Sequence, residues 1–142
     1  MKFDIVYSSL AFHYVPDFQK LANDIYNLLN TGGYLLFSQE HPIVTATFDG
    51  KQHYNKDENG NYTSFTFSNY NQPGERDTFW YVDGVKKYHR TFSNIISALC
   101  RVGFVIDTVC EPLPIENATD FIPNILEKEL IKPTFLIVKA SK

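Results

Sequence analysis

FDIVYSSLAFHYV (residues 3–15), PDFQKLANDIYNLLN (16–30), TGG (31–33) and YLLFS (34–38) run on without a break and read as strand, helix, strand. Phe3 to Ser8 carries Ile5, Val6 and Tyr7 without clean alternation, the pattern of a strand covered on both faces of a parallel sheet. Tyr34-Leu35-Leu36-Phe37 repeats it. Between them Phe18, Leu21, Ala22, Ile25, Leu28 and Leu29 fall on one helical stripe. Asp17 is placed to cap the first amides of that helix, and Gly32 or Gly33 to end it in the left-handed conformation. Two strands joined by such a helix lie parallel in one sheet through a crossover.

The rest of the chain bounds the fold class. With 142 residues and 16.4 kDa it makes one domain, residues 1–142, long enough to bury a core and too short for two. A net charge of -3 and a pI near 5.7 give no basic face for nucleic acid. No apolar run reaches the ~18 residues of a membrane span, and Met1 onward lacks the order of a signal peptide, so the expectation is a cytoplasmic protein without a membrane partner. Cys100 and Cys110 have no zinc or CxxC spacing and are expected to be ordinary packed thiols.

From Thr45 to Tyr88 the apolar stripes give way to an aromatic-dotted insertion, about residues 44–90. Asn59-Gly60 before Tyr62–Phe67 predicts one hairpin, and Asp83-Gly84 between Phe79–Val82 and Val85–Tyr88 predicts a second. Ser68 to Asp77, with Asn69, Asn71, Pro73 and Gly74, reads as a mobile loop. A second amphipathic helix follows with Phe92, Ile95, Ile96, Leu99 and Val102, Thr91 or Ser93 as its cap and Gly103 as its stop. Phe104–Cys110 reads as a strand, Pro123 opens a short helix through Leu130, and Thr134–Lys139 closes the chain as a buried strand.

In that order FDIVYSSLAFHYV, LLNTGGYLLFSQEHP, GVKKYHRTF and GFVIDTVCEPLP together resemble the C-terminal half of a class I S-adenosylmethionine-dependent methyltransferase. The resemblance is to the small-molecule branch, whose fourth strand ends in Ser-Ser-Leu-Ala and whose fifth ends in Glu-His-Pro. It implies an α/β fold, a partial Rossmann-like sheet of about four strands with an aromatic hairpin insertion on the ligand side. The glycine-rich cofactor half of the family has no counterpart here, since Gly32-Gly33 follow a helix instead of opening one. The expectation is therefore the substrate-side half of the enzyme, weak or inactive on its own. The alternative is a non-catalytic remnant or interaction module that pairs through an exposed sheet edge, as a homodimer or with an N-terminal partner half.

Several residues carry the chemistry that the resemblance implies. Ser8, Ser9 and Leu10, at the carboxyl end of the first strand, would lie along the methionine part of S-adenosylmethionine, or else satisfy a local turn. His13 and Tyr14 follow in the same loop, to orient substrate or to pack the helix entry. Glu40 and His41 would face a small-molecule methyl acceptor, with His41 the candidate base. Arg90, between His89 and Thr91, could fork onto an acidic substrate group or onto a carboxylate of the fold. Trp80, with Phe79 and Tyr81, could form an aromatic lid or face the core. His53 shares no metal spacing with the other histidines, and no metal site is expected.

Overall fold

A computed structural model describes the backbone of residues 1–142 and every side chain except that of Trp80. In chain order the elements are β1 (Phe3–Ser9), α1 (Phe18–Leu28), β2 (Leu29–Glu40), α2 (Pro42–Thr45), β3 (His53–Lys56), β4 (Tyr62–Thr66), β5 (Gly74–Trp80), β6 (Val82–His89), α3 (Phe92–Val102), β7 (Val105–Cys110), α4 (Ile125–Ile131) and β8 (Phe135–Ser141). Four of the strands form one mixed sheet in the spatial order β1-β2-β8-β7. β1 and β2 are parallel, with Ile5 opposite Tyr34 and Ser8 opposite Phe37. β8 runs antiparallel to both β2 and β7. Among the described residues no helix is long and apolar enough to cross a membrane.

The two long helices form where the local signals put them. Asp17 accepts a hydrogen bond from the Lys20 amide at 2.9 Å and caps α1. Thr91 and Asn94 exchange side-chain and backbone bonds in a capping box at the start of α3. Gly103, at a φ of 114°, ends α3, and a Cβ there would stand 3.0 Å from the Tyr26 hydroxyl. Both helices cover one face of the sheet, where Phe12, Phe18 and Phe37 stack with ring centroids 4.8 to 6.1 Å apart. Leu35, Phe37, Leu136, Val138 and Ala140 beneath them are wholly buried.

Five sequence expectations are corrected. β1 is not covered on both faces, because only its even-numbered side chains turn toward the helices, and Ile5 and Tyr7 stand 50% and 67% exposed. Gly32 and Gly33 do not stop α1. They form a bulge that shifts the β1–β2 register between Phe3 and Ile5, and a Cβ on Gly33 would meet the Asp4 carbonyl at 2.8 Å. The helix instead passes directly into β2, and Lys142 Nζ takes up the Tyr26 and Leu29 carbonyls at 2.6 and 2.9 Å. In the second hairpin the turn lies at Tyr81, with a φ of 58°, and Asp83-Gly84 form a bulge inside β6. Part of the expected mobile loop, from Gly74 on, is therefore strand, paired from Gly74 opposite His89. Cys100 and Cys110 are exposed and unbridged, Cys100 on the outer stripe of α3 and Cys110 at the end of an edge strand. A smaller adjustment concerns Pro123, which precedes α4 by two residues, with Asn124 in the left-handed conformation between.

The insertion folds as two separate hairpins, β3–β4 and β5–β6. Asn59-Gly60 forms the first turn as expected, with Asp57 accepting from the Asn59 and Asn61 amides. That hairpin meets α4 through a bond from the Tyr62 amide to Glu127 at 3.0 Å. The second is bolted down by Arg76, fully buried, whose Nε donates to the Ala46 carbonyl at 2.9 Å and whose guanidinium stacks 4.0 Å from the Phe48 ring centroid.

Candidate active site

The carboxyl ends of β1 and β2 open beneath the insertion. Parallel strands in open α/β sheets present ligands at these ends. Here the Leu10 amide crosses from β1 to donate to the Ser38 carbonyl and hydroxyl of β2 at 2.9 and 3.2 Å. Leu10 adopts a positive φ of 50°, which turns the chain out of the sheet toward His13. A cavity of about 570 Å³ lies in front of this turn. Leu10, His13, Tyr14 and Glu40 form its sheet-side wall, Gln52 and Tyr54 its insertion side, and α4 with Thr134 and Phe135 the remainder. A smaller pocket of about 180 Å³ continues on the far side of Glu40, bounded by Thr78, Phe79 and Lys87.

His13 is buried, and its Nδ1 accepts a hydrogen bond from the Glu40 amide at 3.3 Å. In the neutral ring the proton then resides on Nε2, so His13 is a donor at that atom. Burial pushes its pKa below the ordinary histidine value, against an opposing pull from Glu40. Tyr14 packs on its ring at 4.2 Å between centroids. Glu40 pairs with Lys87 at 2.7 Å, their side chains 17% and 8% exposed. A pair this sheltered holds the carboxylate in one place. Tyr54 has its hydroxyl pKa pushed up to about 12, first by burial and then by Glu129, so it lines the cavity as a neutral phenol.

The structure places the expected site residues unevenly. Leu10, His13, Tyr14 and Glu40 meet at the cavity. Ser8 and Ser9 lie beside it on the open edge, opposite Phe37 and Ser38. His41 does not face the acceptor space. It is 4% exposed, its Nδ1 caps α2 by accepting from the Ile43 amide at 3.2 Å, and its Nε2 meets Glu111 at 2.9 Å. With both ring nitrogens taken, and its pKa lowered by burial, it positions α2 and the segment after β7. His89 is likewise withdrawn, held between Thr45 Oγ1 and the Tyr70 carbonyl, each at 2.8 Å. Arg90 forks onto neither a substrate space nor a carboxylate. Its guanidinium donates to the backbone carbonyls of Phe12, Val15, Pro16 and Tyr88 and so braces the His13 loop. Of the aromatic lid, Phe79 and Tyr81 are exposed on the hairpin, and the side chain of Trp80 lies outside the described residues. Among the described residues no cluster of His, Cys, Asp and Glu could hold a metal ion.

Sequence reasoning missed Lys87, Tyr54 and Lys132. The first was legible, because Val85, Lys87 and His89 alternate with Lys86 and Tyr88 along one strand and therefore share its inward face. Nothing local marks the other two, which reach the cavity from the first hairpin and from the end of α4.

Known proteins are similar in sequence and fold. A family model described as a methyltransferase domain matches residues 1–37. A crystal structure of an S-adenosylmethionine-dependent methyltransferase from Mesorhizobium loti is 38% identical and superposes with a TM-score of 0.86 over 99% of this chain and 62% of that one. A putative S-adenosylmethionine-dependent methyltransferase from Listeria monocytogenes is 31% identical, with a TM-score of 0.82 and the same coverages. An uncharacterized protein of Haemophilus influenzae is 32% identical over 140 residues, which are 99% of this chain and 54% of that protein. The chain thus spans little more than half the length of these relatives.

Proposed function

From a chain with the fold of the C-terminal half of a class I S-adenosylmethionine-dependent methyltransferase, we propose that residues 1–142 form the acceptor side of a methyl-transfer site for a small molecule. The cavity at the carboxyl ends of β1 and β2, with His13 and Glu40 in its wall, is the observation that carries this reading. Its size suits a small organic acceptor.

The residues present fit one end of the cofactor. Ser8, Ser9 and Leu10 border the crevice where its methionine part would lie. Among the described residues the paired glycines open no helix that could cradle the nucleoside; they are spent on the β1–β2 bulge, where a Cβ on Gly33 would meet the Asp4 carbonyl at 2.8 Å. When bound, S-adenosylmethionine supplies an electrophilic methyl carbon. This chain supplies position and proton handling. Glu40, fixed by Lys87, takes the proton that the acceptor atom releases, and His13 donates from Nε2 to a neighbouring acceptor oxygen or nitrogen. His41 and Arg90 hold the loops that carry these groups.

The half-bare second face of the sheet, with Ile5, Tyr7 and Val105 exposed, supports the companion reading that another polypeptide surface covers it. A second copy of this chain is the first choice, and a separate N-terminal partner half is the other.

Titration with S-adenosylhomocysteine, followed on backbone amide signals, tests the reading. Shifts at Ser8, Ser9, Leu10 and His13 are expected, with affinity near millimolar because a micromolar site is worth ~8 kcal/mol and most of its contacts would come from the nucleoside side. Low-micromolar binding by the monomeric chain would overturn the division of labour, and shifts confined to another region would overturn the site.

A further inference from the structure

The cavity wall at the end of α4 contains a lysine that the methyl-transfer geometry leaves without a task. Lys132 is only 5% exposed, yet its Nζ donates one hydrogen bond, to Thr134 Oγ1 at 3.0 Å. Rings flank it, Phe65 at 5.1 Å and Tyr54 at 5.3 Å. Among the described residues no carboxylate forms an ion pair with it. The two acids of the same wall are engaged elsewhere: Glu40 with Lys87, and Glu129 with the amide and hydroxyl of Thr134. Lys128, one turn earlier on α4, adds a second cation to the wall, its Nζ 4.7 Å from the Tyr62 ring centroid. A sheltered ammonium with open donor positions is costly unless an anion meets it directly; burial lowers the pKa of Lys132, against a longer-range pull from Glu129 and Glu40. The remaining wall, from Leu10 and Val44 to Ile122, Ile125 and Phe135, is apolar.

We propose that Lys132 anchors a carboxylate of the methyl acceptor, so that the cavity takes a small organic acid with an apolar, ring-sized body. The acidic end sits against α4 and the atom to be methylated turns toward His13 and Glu40. A single sheltered lysine suits a monoanion better than a phosphate, which commonly gathers several donors. The assignment of the reacting end rests on the methyl-transfer reading, whereas the assignment of the anchored end does not.

The test is binding to the full chain without any methyl donor. Phenylacetate and its uncharged isostere phenylacetamide serve as probes at neutral pH, with ligand-observed magnetic resonance as the readout. The acid is expected to bind about tenfold more tightly than the amide, in keeping with a charge-assisted contact. Lys132→Met should bring that ratio to about one, and Lys132→Arg should retain most of it. Equal binding of acid and amide, binding of neither, or a ratio unchanged in Lys132→Met would overturn the proposal. If Lys132→Met does not fold, the Cε signal of Lys132 in the unaltered chain decides: phenylacetate should raise its titration midpoint, and an unmoved midpoint at saturation overturns the anchor. A chain that binds the acid through Lys132 but shows no response to S-adenosylhomocysteine would leave the anchor standing and sink the methyl-transfer reading alone.

Discussion

The two faces of the central sheet are built from the same four strands, yet only one of them is sealed. Toward α1 and α3 the side chains of Leu35, Phe37, Leu136 and Val138 lose all contact with water. Their immediate neighbours point the other way, and there Ile5, Tyr7 and Val105 keep half or more of their surface. An apolar strand therefore says little about how many layers cover it. What decides is whether helices exist to pack on the second face, and residues 1–142 supply long helices for one.

The sharpest way to break this comparison is to truncate one side chain on each face. Phe37→Ala should cost about 3–5 kcal/mol, the usual result of emptying a packed aromatic site, and so remove a large part of the stability of a domain this size. Tyr7→Ala should cost under ~1 kcal/mol in the isolated chain. Urea midpoints measure both. A loss at Tyr7 comparable with that at Phe37 would mean that the second face is covered in solution.

Where the two faces end, at the mouth of the cavity, the contrast becomes one of function. In an assembly competent for methyl transfer, Glu40→Gln should lower kcat about 10²-fold, a usual share for a positioned base. His41→Ala should lower kcat by less and stability by about 1–2 kcal/mol, since it removes a helix cap and leaves Glu111 without its partner. A larger kcat loss at His41 than at Glu40 would return the proton to the histidine.

Acid should act first on the buried histidines around the cavity and the insertion. Burial lowers the pKa of His13, His41 and His89 below that of an unfolded histidine. Below about pH 6.5 the unfolded chain takes up these protons before the folded one, so stability is full above that pH and falls as pH drops toward the folded values. Urea midpoints at two pH values, with and without His89→Gln, measure the slope, and a slope unaffected by the substitution would take His89 out of the account.

The smallest effect on stability is expected where the consequence for assembly is greatest. Ile5→Lys with Tyr7→Lys should leave the melting temperature almost unchanged, because both side chains already face solvent. The parent should self-associate at tens of micromolar through its apolar face and edge, and the double variant should not. Light scattering distinguishes them, and a monomeric parent would show that the edge is tolerated.

These contrasts track what could be read beforehand. The caps at Asp17, Thr91 and Gly103 were legible because each is a contact within one turn. So was the parallel β1–β2 pair, which the intervening helix dictates. Gly32-Gly33 misled, since the left-handed freedom that ends a helix also serves a bulge, and only the register with Phe3 and Ile5 tells which. At the site, position at a strand end or in the loop after it was enough to group Leu10, His13 and Glu40, which line one cavity. The direction of His41 depended on Pro42 starting a helix whose amide captures the ring. Lys132 and Tyr54 carry no sequence signature, because they lie some eighty residues apart and meet only when the first hairpin packs against α4.

The spatial order β1-β2-β8-β7 also has a temporal side. β8 lies in the middle of the sheet but follows every other strand in the chain. As the polypeptide leaves a ribosome, β2 and β7 must wait with their inner edges unpaired until residues 135–141 emerge, although α1 and the hairpins can already have formed. The closing step joins residues about a hundred positions apart, the kind of long-range pairing that slows folding and leaves sticky edges open meanwhile. A stall or a proteolytic nick just ahead of Phe135 would then remove the keystone of the sheet, not a tail.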